Sequence, residues 1–84
     1  MNPTLIVLTG AASGIGKQLV HTFLERKLRL ILVDLDAEKL VNLAQGSVSV
    51  LGVDGDVAQE ATWFRVVETA TKFGLPISHL INCA

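Results

Sequence analysis

A glycine-rich stretch near the amino terminus carries the first residues of this sequence whose types and spacing could do chemistry. It runs Thr9-Gly-Ala-Ala-Ser-Gly-Ile-Gly16 and places glycines at positions 10, 14 and 16. Between a strand and a helix, glycine lets the chain turn sharply, lets the backbone approach an anion and lets the helix pack closely on the strand. The free N–H groups and the positive end of the helix dipole then face that anion. The stretch therefore predicts a pyrophosphate-binding turn.

The residues predicted to meet the pyrophosphate are Gly10, Gly14 and Gly16, with Ile15 in the same turn and Ser13 as a hydroxyl donor. A tight strand-to-helix connection without a ligand is the alternative interpretation of three glycines. The position of the motif, directly after the first predicted strand and at the start of the first helix, favours the dinucleotide interpretation.

A nucleoside triphosphate loop of the form G-x-x-x-x-G-K-[ST] is a second alternative, because Lys17 follows Gly16. The first glycine of that motif is replaced by Ala11, and the hydroxyl residue that would bind magnesium is replaced by Gln18. These two departures argue against an NTPase.

An acidic residue at the end of the second predicted strand is the next candidate. Asp34 lies 18 residues beyond Gly16, where a carboxylate can accept hydrogen bonds from the hydroxyls of an adenosine ribose. The same charge repels a 2′-phosphate, and its neighbours in the predicted contact, Ser13 and Leu35, are uncharged. The pattern favours NAD over NADP, and the alternative is a solvated carboxylate in a loop.

The elements that must position these groups follow from the apolar pattern. Short apolar runs predict strands buried on both faces, and apolar residues at a 3.6-residue period predict helices. The resulting β-α-β-α-β-α-β order is typical of a parallel sheet with right-handed crossovers, that is, an α/β fold. The predicted strands cover residues 4–8, 30–33, 48–53 and 79–82, and the predicted helices cover 14–26, 37–44 and 58–73.

Three details of the predicted helices bear on packing. Ile15, with Leu19 and Val20, is expected on the buried side of the first helix, and Phe64, Val67 and Ala70 on the buried side of the third. The first helix should end near residues 27–28, where no glycine is present to take the left-handed conformation. Since that conformation costs a non-glycine residue about 1–2 kcal/mol, a different turn is expected there. Gly74 is the expected end of the third helix.

Composition narrows the class of protein. A length of 84 residues fits one small domain, residues 1–84. The net charge of −1 argues against a nucleic-acid partner. No apolar run reaches the roughly 20 residues needed to span a bilayer, so we expect no membrane partner. The single cysteine excludes an internal disulfide and fits a cytoplasmic protein. His21 and His79 have no neighbours at metal-ligand spacing, so no metal is expected.

Several segments in order resemble the short-chain dehydrogenase/reductase family, in its single-domain subgroup. They are the turn Thr9-Gly10-x-x-x-Gly14-x-Gly16, the strand end Val33-Asp34, the pair Asp56-Val57 and the end of the chain, Ile81-Asn82-Cys83-Ala84. The resemblance implies that Asp56 and Val57 contact the adenine. It also implies contacts from Asn82 and Ala84 on the nicotinamide side, because the last segment is similar to the family's Asn-Asn-Ala-Gly motif. Cys83 departs from that motif.

The catalytic Tyr-x-x-x-Lys pair of the family has no counterpart here, because the chain contains no tyrosine. We interpret the chain as a truncated Rossmann-type domain, with strand order 3-2-1-4, that holds NAD(H) for an oxidoreductase acting on an alcohol/carbonyl pair. By itself it is expected to be catalytically inactive. Two alternatives remain. One is a non-catalytic NAD sensor, and the other is an interaction or assembly module that uses the exposed fourth strand, for example to form a homo-oligomer.

Overall fold

The computed structural model describes residues 4–83 and contains the seven predicted elements in the predicted order. Strands alternate with helices, so each of the first three strands is followed by a crossover long enough to reach the start of the next parallel strand. The elements are β1 (Leu5–Thr9), α1 (Gly14–Glu25), β2 (Arg29–Asp34), α2 (Ala37–Ala44), β3 (Val50–Asp54), α3 (Glu60–Phe73) and β4 (His79–Asn82).

The four strands form one parallel sheet in the order β3-β2-β1-β4, which confirms the predicted strand order and the Rossmann-type α/β fold. β1 lies in the middle: Thr9 is in register with Val33 of β2 on one side and with Asn82 of β4 on the other. Asp34 of β2 is in register with Asp54 of β3. The carboxyl ends of all four strands therefore meet at one edge, where ligands bind in open α/β sheets.

Two apolar layers cover the sheet because alternate residues of a strand point to opposite faces. Ile6 and Leu8 of β1 belong to a cluster on the α1–α2 side, which also contains Val20 and Leu40. Leu5 and Val7 belong to a second cluster on the α3 side, with the buried α3 residues Val66 and Ala70. Burial on both faces explains why the strands are almost uniformly apolar.

The structure corrects three predicted packing positions. Ile15 is 72% exposed at the start of α1, and the buried residues of that helix include Val20. Phe64 and Val67 are mostly exposed, while Thr62, Val66 and Ala70 form the buried stripe of α3. The third strand begins at Val50 rather than at residue 48. Helical periodicity alone leaves the phase of the buried stripe open when apolar residues occur on two sides of a helix.

The end of α1 also differs from the prediction. Lys27 itself takes the left-handed conformation, with φ of 57°. Its N–H donates to the carbonyl of Leu24, and the N–H of Leu28 donates to the carbonyl of Phe23. These two bonds form the usual glycine-dependent helix ending, here built with a lysine. α3 ends at Gly74, as predicted, with φ of 67°.

β4 is the exposed edge of the sheet next to β1. Its residues are mostly solvent-exposed, with Leu80 at 58%, and α3 packs on β2 and β3. Within residues 4–83 no helix has the length and apolar content required to cross a membrane.

Candidate functional site

The glycine-rich turn connects β1 to α1 at the carboxyl edge of the sheet. Gly10 has a positive φ of 67°, which a glycine adopts without strain. A Cβ added to Gly16 would overlap the carbonyl oxygen of Gly10, so this glycine allows α1 to pack against the turn. A Cβ added to Gly14 would meet nothing within 4 Å. Gly14 thus borders open space, whereas Gly16 is in close contact with the backbone of the turn.

Ser13 caps α1 with an extended backbone, but its side chain makes no capping bond. Its hydroxyl donates to the carbonyl oxygen of Gly10 at 2.6 Å, and its own N–H donates to the same oxygen at 3.1 Å. The hydroxyl predicted as a ligand donor is therefore engaged inside the turn in this structure. Ile15 projects into solvent one residue into the helix. Backbone N–H groups at the start of α1 remain the main donors that this turn can offer an anion.

Asp34 is bound to the glycine-rich turn through its carboxylate. Oδ2 accepts a hydrogen bond from the N–H of Ala12 at 3.0 Å, and Oδ1 accepts one from the N–H of Asp36 at 3.2 Å. The N–H of Ala11 donates to the carbonyl of Val33 at 3.3 Å. These bonds join the end of β2 to the turn, so the carboxylate and the turn are held as one unit.

Asp56 and Val57 lie in the loop that follows β3. Oδ1 of Asp56 accepts a hydrogen bond from the N–H of Ala58 at 2.8 Å, a local turn typical of aspartate. The indole N–H of Trp63 donates to the carbonyl of Val57 at 2.9 Å. This bond holds the loop against the first turn of α3. The sequence pattern gave no signal for this bond, because the backbone carbonyl that accepts it could belong to any residue type.

Asn82 ends β4 and is bonded to β1. The hydroxyl of Thr9 donates to Oδ1 of Asn82, and the N–H of Cys83 donates to the carbonyl of Thr9 at 3.1 Å. Thr9 is 1% exposed, so this bond satisfies a buried hydroxyl and aligns the ends of the two strands. The role of Thr9 was missed because its partner lies 73 residues away in the sequence. Ala84, also predicted to contact the cofactor, lies outside the described residues.

A cleft of about 290 Å³ collects most of the predicted residues at the carboxyl edge of the sheet. Gly14, Ile15, Gly16 and Asn82 are not part of its lining. Gly55 and Cys83 also line it, although neither was predicted to contact the cofactor. The lining consists of Gly10, Ser13, Val33, Asp34, Leu35, Gly55, Asp56, Val57 and Cys83.

The charges of this cleft set what it can do chemically. Among its described lining residues the charged side chains are Asp34 and Asp56, both acidic. They suit hydrogen-bond donors such as ribose hydroxyls and amino groups, whereas an anion would depend on backbone N–H groups. Among residues 4–83 no group of three or more His, Cys, Asp or Glu side chains could hold a metal ion. The cleft thus offers two carboxylates as hydrogen-bond acceptors, and its lining also contains the hydroxyl of Ser13 and the thiol of Cys83.

Comparison with known proteins gives a consistent result. A family model described as short chain dehydrogenase matches residues 4–84. The chain is 31% identical over 90 residues to an 11-beta-hydroxysteroid dehydrogenase of Pinus massoniana, a match that covers all of this chain and 25% of the relative. The chain therefore spans about a quarter of the length of that relative.

Two solved structures carry nicotinamide dinucleotides. L-Sorbose reductase from Gluconobacter frateurii, complexed with NADPH and L-sorbose, superimposes with a TM-score of 0.86 at 28% identity, covering 100% of this chain and 34% of the reductase. A 3-ketoacyl-(acyl-carrier-protein) reductase from Brucella melitensis, complexed with NADH, superimposes with a TM-score of 0.82 at 29% identity, covering 92% and 32%. Together with the match over residues 4–84, these similarities establish that the chain belongs to the short-chain dehydrogenase family.

Proposed function

We propose that this chain is the NAD(H)-binding portion of a short-chain dehydrogenase that acts on an alcohol/carbonyl pair. The supporting observation is the single cleft that brings Gly10 and Ser13 of the turn together with Asp34, Asp56 and Val57. These residues lie at, or directly after, the carboxyl ends of β1, β2 and β3 of the same parallel sheet. A crevice at the carboxyl ends of such strands is the general binding position in open α/β sheets.

The residues fit a dinucleotide. The open space beside Gly14 allows a diphosphate to approach the first turn of α1, where the backbone N–H groups and the helix dipole favour negative charge. Asp34 would accept hydrogen bonds from the hydroxyls of the adenosine ribose. The loop that contains Asp56 and Val57 would lie beside the adenine. When bound, the nicotinamide supplies a carbon that accepts or donates hydride. The residues of this chain bind and orient the cofactor and take no part in proton transfer.

We expect NAD to bind more tightly than NADP. A 2′-phosphate placed against Asp34 would bring two negative charges together, whereas the 2′-hydroxyl of NAD donates to that carboxylate. No basic side chain is among the described residues that line the cleft. A cytoplasmic location is part of the same proposal, because a single cysteine fits a reducing compartment.

The decisive experiment titrates the chain with NADH and NADPH and follows the fluorescence of Trp63, the only tryptophan. Trp63 is suited to this because its indole is bonded to Val57 beside the cleft. We expect Asp34→Asn to weaken NADH binding about tenfold to a hundredfold, since a hydrogen bond to a charged group contributes about 1.5–3 kcal/mol. The same variant should bind NADPH as well as or better than the parent.

Asp54→Asn is the matched control. Asp54 lies in register with Asp34 on the next strand, carries the same charge and does not line the cleft. It should leave both affinities unchanged. Equal affinity of the parent for NADH and NADPH would contradict the role given to Asp34, and absence of NADH binding at millimolar concentration would refute the proposed function.

We also expect no dehydrogenase turnover from these 84 residues, because the chain has no tyrosine to donate or accept the proton. The production of NADH from NAD and an alcohol can be followed by absorbance. Any turnover by the purified chain above the level of a Gly16→Ala preparation would contradict the expected inactivity. NADH binding without turnover is the result expected both for the cofactor-binding portion of an enzyme and for an NAD sensor.

Self-assembly through β4 is a second candidate function, favoured by a specific observation. The outer edge of β4 lacks a neighbouring strand in the described chain, and Leu80, a residue of β4, is 58% exposed. An open strand edge can pair with the same edge of a second copy around a two-fold axis. Light scattering across a concentration series tests this, with Leu80→Lys expected to shift the distribution toward monomer. A mass that stays monomeric at all concentrations would exclude it.

A further inference from the structure

A groove between α1 and α2 is a depression in the described surface to which the proposed function gives no role. Its volume is about 420 Å³, compared with about 290 Å³ for the candidate cofactor cleft. α1 and α2 are successive crossovers of one parallel sheet, so the two helices point in the same direction. The groove is lined by Ala12, Lys17, His21, Lys39, Asn42, Leu43 and Gln45.

The chemistry of this lining is that of an anion site. Lys17 and His21 are one helical turn apart on α1, so they share a face, and Lys39 and Asn42 share a face of α2 in the same way. No acidic side chain is among the described lining residues. The side-chain amides of Asn42 and Gln45 add neutral N–H donors beside the cations. Buried Leu43 contributes an apolar part of the wall.

The two lysines are available for a ligand. Within residues 4–83 the ion pair that the structure records joins Arg65 of α3 to Asp54 of β3, away from the groove. Neither Lys17 nor Lys39 takes part in it. Both lie in the first turns of their helices, where the helix dipole already favours negative charge. Two lysines and a histidine line this groove, and no acidic side chain is among its described lining residues, so the lining suits a multiply charged anion.

Ala12 connects the groove with the candidate cofactor cleft. This residue lines the groove, while its N–H donates to Oδ2 of Asp34 inside the cleft region. A phosphate attached on the ribose side of a bound adenosine would be repelled by Asp34 and attracted by Lys17 and Lys39. A ribose phosphate that reached the groove would therefore be attracted by the lysines as well as repelled by Asp34.

We propose that the α1–α2 groove binds a phosphate monoester dianion through Lys17, His21 and Lys39. Two sources supply this chemistry: the 2′-phosphate of NADP, in which case the inference rests on the proposed dinucleotide function, or a separate phosphorylated molecule. In the first case the groove strengthens NADP binding and so reduces the difference between the affinities for NAD and NADP that Asp34 creates. In the second it is an independent binding site on the same chain.

The test compares a Lys17→Gln/Lys39→Gln double variant with a Lys27→Gln/Lys72→Gln control. Both variants lose two positive charges, but Lys27 and Lys72 do not line the groove. NADH, NADPH and inorganic phosphate are each titrated by calorimetry at low salt. The side-chain amide signals of Asn42 and Gln45 are followed by NMR during the phosphate titration.

The expected result is that the groove variant loses at least about tenfold in affinity for NADPH, for inorganic phosphate or for both, while NADH binding is retained. Loss for NADPH identifies the 2′-phosphate as the source. Loss for phosphate alone, with NADPH unaffected, identifies a separate phosphorylated ligand. Phosphate-induced shifts of the Asn42 and Gln45 amides should disappear in the groove variant and persist in the control.

Two results would overturn the inference: equal losses in the groove variant and the control, or no response of the Asn42 and Gln45 amides to phosphate together with unchanged NADPH affinity. Failure of the proposed function is distinguishable from these. If the parent chain does not bind NADH but phosphate shifts the groove amides, the dinucleotide proposal is wrong and the phosphate site stands.

Discussion

β2 and β4 flank the same central strand, yet they occupy very different surroundings. Both are apolar runs paired in parallel with β1. Leu30 to Val33 of β2 are 0% exposed, whereas Leu80 of β4 is 58% exposed, although its register partner Val7 is buried. β2 has a strand on each side and helices over both faces; β4 has one neighbouring strand, and α3 covers β2 and β3 instead. Burial here is decided by neighbours rather than by the hydrophobicity of the strand.

The same division runs through the candidate site. The turn and Asp34 lie on the enclosed side, joined by the bond from the N–H of Ala12. Asn82 lies on the exposed strand β4. The described bonds that join this end of β4 to β1 are those from the hydroxyl of Thr9 to Asn82 and from the N–H of Cys83 to the carbonyl of Thr9. The contacts proposed for the adenosine and diphosphate thus belong to the well-packed part of the fold, and those proposed for the nicotinamide side belong to its edge.

The largest expected effect is a direct contrast between the two strands. Leu32→Ala, in β2, should lower the free energy of unfolding by about 2–5 kcal/mol, because it removes fully buried methyl groups and leaves a cavity. Leu80→Ala, in β4, should lower it by less than about 1 kcal/mol, since that side chain is mostly in water. Urea unfolding followed by circular dichroism measures both. Similar values for the two variants would mean that β4 is covered in solution.

Glycine substitutions sharpen the comparison within the enclosed side. Gly16→Ala should destabilise the fold by about 1–3 kcal/mol, since its Cβ overlaps the backbone of Gly10 and the turn must move. Gly14→Ala has free space for its Cβ and should leave stability unchanged or raise it slightly, while weakening NADH binding. Thermal unfolding and NADH titration separate the two effects. Equal destabilisation by both substitutions would show that the turn is tight throughout.

The two helix ends provide a smaller contrast. α1 on the enclosed side ends with Lys27 in the left-handed conformation, whereas α3 ends with Gly74 in that conformation. Lys27→Gly should therefore raise the free energy of unfolding, by up to about 1 kcal/mol, because it relieves the strain at that position. Gly74→Ala should lower it by a similar amount. A loss of stability in Lys27→Gly would argue that the lysine side chain stabilises the turn by contacts that outweigh the strain.

The smallest effect is expected for the exposed ion pair near β3. Arg65 and Asp54 are joined at 3.2 Å, with their side chains 48% and 56% exposed. Arg65→Gln should change the free energy of unfolding by less than about 1 kcal/mol, because solvent screens such pairs. The difference between parent and variant should shrink further in 1 M salt. A larger, salt-independent loss would mean that the bond from Arg65 to the carbonyl of Asp54 matters more than the charge.

The sequence alone determined the order of the elements, the parallel strand order and the family. These depend on local patterns, on the general handedness of crossovers and on motifs that recur in related chains. It also identified most residues of the cleft, because the ends of parallel strands meet at one edge whatever the details of packing. Cofactor preference and the role of Asp34 remain predictions until NADH and NADPH affinities are measured.

Only the tertiary structure decided which side of α3 is buried, how α1 ends and what Thr9 does. Phe64 and Val66 are both apolar, and their burial depends on where α3 meets the sheet. The bond from Thr9 to Asn82 and the groove between α1 and α2 join residues from separate elements. Such features arise when distant segments pack together, so the local spacing of residues does not predict them. The residue pattern specifies the helices and strands, and the contacts between those elements specify the site.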